Sequence, residues 1–205
     1  MNRDRRNSGF TLIETMFVLG IIAVLATIAI PMTGNQLSYL RLSGDARNLE
    51  NALMLAKMRA AATFTQARVY VDLNAKTFRI QTWDRNAATP DWKTDGGTTS
   101  LSGSDRFGYG SISTPPSFTQ VSIGQAPTCF TNASAVILNT ACIVFNSRGV
   151  PISVSGKPTA TEPPIGTNAV YLTDGTAVYG ATVSATGMIR LWRTGATGTA
   201  NWTVQ

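Results

Sequence analysis

The residues of this chain that could do chemistry are few. His is absent, which removes the commonest general base and the commonest zinc ligand, and histidine-based catalysis with them. Glu14 is a carboxylate at the start of an apolar run, and no further charged residue follows until Arg41. Insertion scales put an acid at the centre of a bilayer at up to about 2.5–3.5 kcal/mol, so an ordinary signal-peptide core or a passive anchor has no use for one. Glu14 therefore implies a partner that pairs with it. Cys129 and Cys142 are the only cysteines; in an exported chain such a pair is expected to form a disulfide, with a loop closure of about 3 kcal/mol in the chain-entropy account. Asp84, Asp91, Asp95 and Asp105 match no EF-hand spacing and read as solvated loop carboxylates. Gly108-Tyr109-Gly110 lacks the strand, helix and third glycine of a dinucleotide site. Arg190 and Arg193 flank Leu191-Trp192, a small basic patch beside an aromatic that would suit a phosphate and a stacked base. Strand alternation opposes that use, because it pairs Arg190 with Trp192 on one face and Arg193 with Leu191 on the other unless the strand ends at Trp192. No nucleophile and base stand in a recognisable constellation, so the expectation is a non-enzyme without cofactor or metal.

The elements that must position these residues follow from hydropathy. The 205 residues are 43% hydrophobic and only 14% charged, enough apolar material for a core and too much for a disordered chain. The formal charge is +6, but three arginines lie within residues 1–9, so the remainder is only mildly basic. Residues from Met16 to Ile30 are almost wholly apolar, a membrane-length stretch when joined to its neighbours. Arginines precede it and none closely follow, which leaves residues 1–9 in the cytoplasm and sends the chain beyond about residue 32 across the membrane. From Leu42 the apolar positions Ala46, Leu49, Leu53, Ala56 and Ala60 recur at helical spacing, with Asp45, Arg47, Asn51 and Lys57 off the stripe and Arg41 and Asp45 spaced as an i,i+4 pair. A helix continuous from Phe10 to about Ala62 would be roughly 80 Å long, with a kink or local melting expected at Pro31. Beyond Thr65 the period becomes two, and residues 69–73 and 78–82 read as a β-hairpin. Residues 84–117 show no sustained period and read as a long loop. Further strands are expected at 118–123, 135–138, 143–145, 170–172, 182–184 and 188–192, an antiparallel β body.

The hexapeptide Gly9-Phe10-Thr11-Leu12-Ile13-Glu14, followed by the apolar stretch to Pro31, closely resembles the class III leader of type IV pilins and type II secretion pseudopilins. An ordinary signal peptide cut after Ala29 and a plain single-span anchor remain the alternatives, and neither explains the hexapeptide. The resemblance implies that a prepilin peptidase cuts after Gly9, that Phe10 is N-methylated and that the apolar segment stays on the mature chain, with Glu14 setting axial register. It implies other pilin subunits, the peptidase and the bacterial inner membrane as partners, with the body in the periplasm. A second resemblance lies in Ile143-Val144-Phe145-Asn146-Ser147-Arg148-Gly149 and in Thr182-Val183-Ser184-Ala185-Thr186-Gly187-Met188-Ile189-Arg190, which look like the GspH/FimT branch of minor pilins. Gly187 and Arg190 align with that branch's terminal hairpin, whereas Met188 replaces its first Arg; both Gly149 and Gly187 are expected in tight turns of positive φ. The expected fold is α+β: a leader at 1–9, a transmembrane and filament-core helix at 10–32, an amphipathic helix at 33–62 packed on an antiparallel sheet domain at 63–205. The expected function is a minor pilin or pseudopilin of a pilus or secretion machine, with a DNA-binding minor pilin as the alternative.

Overall fold

A computed structural model describes residues 10–159 and 161–205, and for residues 28–35 it describes the backbone alone. One long helix, α1, runs Leu12–Ala62. The chain divides into two compact units, residues 1–40 and 41–205.

Between Met16 and Ala26 the helix carries no polar side chain, and its large side chains from Phe10 to Leu25 are exposed. α1 keeps its helical backbone through Pro31, so local melting is not observed there; the side chain of Pro31 is outside the described residues.

Within residues 41–205 the helix is strictly one-sided. Leu42, Ala46, Leu49, Leu53, Ala56 and Ala60 are completely buried, the stripe that the spacing anticipates. Each leucine contributes about 1.5–3 kcal/mol of burial, and the alanines let the strands approach closely. The helix ends at Ala62 in a Schellman turn. Thr65 N–H donates to the Ala60 carbonyl at 3.3 Å and Phe64 N–H to that of Ala61 at 3.4 Å, with Phe64 itself in the left-handed region at φ 49°.

Two five-stranded antiparallel sheets receive this stripe. Their strands are β1 (Ala67–Asp72), β2 (Thr77–Asp84), β3 (Asp91–Ser100), β4 (Arg106–Phe107), β5 (Cys129–Phe130), β6 (Val136–Ile137), β7 (Thr140–Phe145), β8 (Pro151–Ile152), β9 (Thr167–Thr173), β10 (Ala177–Ser184), β11 (Ile189–Gly195) and β12 (Thr203–Val204). The first sheet has the order β3-β2-β1-β7-β8 and the second β12-β11-β10-β9-β4; β5 and β6 form a separate ribbon. Alternate residues face the helix: Val69 and Val71 of β1, Phe78 and Ile80 of β2, Ile143 and Phe145 of β7, and Val170, Leu172, Tyr179, Val183 and Leu191 of the second sheet join its stripe in one core. The outer faces are covered too. Tyr70, Trp83, Trp92 and Val144 pack with the cystine and Ile152, and Tyr171 and Val178 pack with Ile112 and Ala196. This double cover explains why β7, β9 and β10 are buried almost throughout and why they read as short apolar runs rather than clean alternation.

Three expectations are corrected. Residues 84–117 contain β3, ten residues long, and the short β4. β3 is an edge strand built largely of Thr, Asp and Gly and exposed along most of its length, so no apolar periodicity marks it. Its register against β2 shifts between Arg79 and Ile80, where Gly96 sits at φ 86°, a bulge that twists the edge. Residues 118–123 form turns instead of a strand, with Phe118 at φ 62° and fully exposed. Asp45 is buried and accepts hydrogen bonds from Ser102 N–H at 2.5 Å and Ser102 Oγ at 3.0 Å, rather than lying on the solvated side of α1.

Candidate functional site

The start of α1 is organised by Thr11. Its Oγ1 accepts from Glu14 N–H at 3.3 Å, and its carbonyl accepts from Glu14 and Thr15 N–H at 3.1 and 3.2 Å. Thr11 is therefore the N-cap and Glu14 the acidic residue of the first turn, where the helix dipole favours negative charge. The other hydroxyls of the segment turn back on the helix: Thr15 Oγ1 donates to the Leu12 carbonyl at 2.8 Å and Thr27 Oγ1 to that of Val24 at 2.7 Å. That back-bonding suits an apolar surrounding. Glu14 has no such internal partner among the described residues, and it stands among exposed Phe10, Leu12, Ile13, Phe17 and Val18. Gly9 lies outside the described residues. Among the described residues no helix is long and apolar enough to cross a membrane.

The two motif glycines of the body meet in space. Gly149 closes the β7–β8 turn at φ 74°, and Gly187 closes the β10–β11 turn at φ 76°. A Cβ on Gly187 would fall 2.1 Å from the Gly149 carbonyl oxygen, and one on Gly149 would fall 2.8 Å from Lys57 Cε. Lys57 Nζ donates to the Gly187 carbonyl at 2.9 Å. The turn geometry expected at both positions is present, and the close approach of one turn to the other adds a second reason for glycine. Asn146 Oδ1 accepts from Arg148 and Val150 N–H at 3.0 and 3.1 Å and holds the first turn. The clamp by Lys57 was not legible from its place off the apolar stripe.

Cys129 and Cys142 are joined, with Cα atoms 5.1 Å apart. The cystine ties the β5–β6 ribbon to β7 over the outer face of the first sheet. Beside it Arg68 is buried, donating from Nε to Gln81 Oε1 and from Nη1 to the Phe130 carbonyl, both at 2.9 Å, with its guanidinium 4.1 Å from the Trp92 ring centroid. Burial lowers its pKa to about 10, and Tyr70 and Asp91 pull the other way.

The terminal strand does not assemble a basic patch. β11 continues past Trp192 to Gly195, so Arg190 and Arg193 remain on opposite faces, and Leu191 between them belongs to the core. Trp192 is 9% exposed and its indole N–H donates to Thr182 Oγ1 at 3.0 Å, which leaves little ring for a base to stack on. The aspartates expected as solvated loop carboxylates have separate structural tasks instead, and Asp91 and Asp95 belong to β3. Asp84 Oδ1 accepts from Asn86 and Ala87 N–H, Asp91 Oδ1 from Trp92 N–H, and Asp95 pairs with Arg59 Nε at 3.0 Å. Asp105 is buried; desolvation first, then the charge and hydrogen bond of Asp45 and the charge of Asp174, raise its pKa to about 6 against the opposing pull of Arg41.

The sequence pattern described as the prokaryotic N-terminal methylation motif matches residues 4–30. No curated protein matches the chain. Two structures of the minor pseudopilin EpsH from the type II secretion system of Vibrio cholerae are similar to it. One is 12% identical, covering 74% of this chain and 95% of that one with a TM-score of 0.43. The other is 13% identical, covering 78% and 97% with a TM-score of 0.42. Residues 4–30 thus carry the prokaryotic N-terminal methylation motif, and Glu14 within it lies in the first turn of α1.

Proposed function

We propose that the chain is a minor pilin or pseudopilin, a structural subunit of a type II secretion pseudopilus or type IV pilus. A prepilin peptidase cuts between Gly9 and Phe10 and the new terminus at Phe10 is methylated. Residues 10–32 then hold the protein in the bacterial inner membrane with residues 63–205 in the periplasm, until α1 is drawn into a bundle with the helices of other pilin subunits. The observation that carries this reading is a helix start whose hydroxyls are satisfied internally while the Glu14 carboxylate has no partner among the described residues and stands among exposed apolar side chains. Such a surface gains by burial against other helices, and the carboxylate gains from a cation placed there. The GspH/FimT branch fits the paired turns at Gly149 and Gly187 and the antiparallel hairpin β10–β11.

Intact-mass measurement of the membrane-extracted protein tests the reading. The expected mass is that of a chain beginning at N-methylated Phe10. A chain starting near Ile30, or an uncut one, removes the basis of the filament role. DNA binding through Arg190, Arg193 and Trp192 is left without an assembled patch, and no other observation favours it there.

A further inference from the structure

Where α1 ends, the body carries a cleft of about 480 Å³ between the end of β2, the β7–β8 turn, residues 157–159 and Glu162. Three cations line it, Arg85, Arg148 and Lys157, against one carboxylate, Glu162. All three are exposed, and among the described residues no carboxylate lies within ion-pair distance of any of them, since the ion pair present is Arg59 with Asp95. Arg85 Nη2 donates to the Phe64 carbonyl, and Gln66 Nε2 donates to the Thr159 carbonyl at 3.2 Å. These bonds tie the end of β2, the helix end and Thr159 around one opening. Buried Trp83, Ile152 and Pro158 make its apolar wall.

Phe64 stands at the rim and is the odd residue of the group. It occupies the left-handed position after the helix, where glycine is the preferred residue and a bulky side chain is strained. Its ring is 78% exposed, so core packing does not compensate the strain. Strain kept without a packing return is a mark of a binding surface. The cleft thus offers cations, an apolar wall and an exposed aromatic together, and nothing in the fold requires the combination.

We propose that this cleft binds an acidic, partly apolar segment of another polypeptide, its carboxylates against Arg85, Arg148 and Lys157 and an apolar side chain against Phe64. Guanidinium groups pair with carboxylates in bidentate geometry. A peptide also brings N–H donors, which suit the Glu162 carboxylate and the Thr159 hydroxyl; a phosphodiester backbone has no donor to set against Glu162 and is repelled by it. The three cations gather around a single cleft rather than forming the extended track that a nucleic-acid strand needs. The inference stands apart from the subunit reading, because binding is measured on the purified chain.

The test uses the full chain in non-ionic detergent and a labelled eight-residue peptide of glutamates around a central Phe, beside its glutamine analogue. Wild-type protein should bind the acidic peptide in a salt-sensitive manner and the analogue at least about tenfold more weakly. Arg148→Ala with Lys157→Ala should lose about tenfold or more in affinity, while Arg148→Lys with Lys157→Arg keeps most of it. Phe64→Gly supplies the sharpest arm: it should raise the melting temperature by relieving the left-handed strain and yet weaken the peptide several-fold. Equal binding by wild type and the double alanine variant, equal binding of both peptides, unchanged binding by Phe64→Gly, or tighter binding of a single-stranded oligonucleotide of matched charge each overturns the proposal. A matching melting curve for the double alanine variant confirms that it is folded.

Discussion

Glu14 is the residue on which the proposed assembly role turns. Among the described residues its one structural task is to favour the first helical turn. Glu14→Ala should therefore leave membrane insertion intact or improved, since the segment becomes more apolar, while cross-linking to neighbouring pilin subunits falls. Undiminished cross-linking would deny Glu14 a docking role. Asp105 is a residue-scale case inside the body. Its folded pKa of about 6 lies above that of an unfolded aspartate, so the folded state holds the extra proton between about pH 4 and 6. Stability should be greatest below that window and fall as pH rises through it. Asp105→Asn keeps a donor towards Asp45 without the charge; it should flatten that pH dependence and raise stability at pH 7 by about 1–2 kcal/mol. Denaturant titrations of both proteins at pH 4.5 and 7 decide this, and parallel pH profiles would show that Asp105 is not the responsible group.

At the scale of elements, the end of α1 and the turns after β7 and β10 form one unit, because Lys57 reaches the Gly187 carbonyl while its stem covers Gly149. Gly187→Ala adds both left-handed strain and a collision with backbone, whereas Gly198 has positive φ but open space around it. Gly187→Ala should cost about 2–4 kcal/mol, and Gly198→Ala about 1. Equal losses in the two variants, read from denaturant midpoints, would mean that the contact between the turns contributes nothing. Beyond its share of the core, the hairpin β10–β11 is thus also held to the helix by a Lys57 bond to a main-chain carbonyl, which no side-chain pattern announces. β3 shows the converse: it is held to β2 by its backbone ladder and needs no apolar periodicity of its own.

For the whole molecule, the core joining α1 to both sheets lies entirely within residues 41–205. A chain beginning at Arg41 should therefore fold cooperatively without the apolar segment, and a broad, non-cooperative melt would show that residues 1–40 support the body. The cystine closes a loop of 13 positions and fixes the ribbon on the outer face. Reduction should lower stability by about 3 kcal/mol in the chain-entropy account. Thiol labelling under denaturing, non-reducing conditions should find neither cysteine free before reduction.

Much of this was legible in the chain as written. The hexapeptide around Glu14, the helical stripe from Leu42 to Ala60, the hairpin beginning at Val69 and the cysteine pair all rest on local patterns, in which spacing along the chain decides which face or partner a residue meets. The α+β class followed from the change of period near Thr65. Other features depended on segments distant in sequence. Asp45 left the solvated face because Ser102 came to it, and Lys57 became a clamp because two turns met beneath its stem. Arg85, Arg148 and Lys157 are far apart in sequence and share one cleft only because β2, the β7–β8 turn and the loop before β9 end at the same pole of the body. Periodicity reports burial along one element, whereas hydrogen bonds and charges between elements depend on which ends the topology brings together; that decision belonged to the tertiary structure alone.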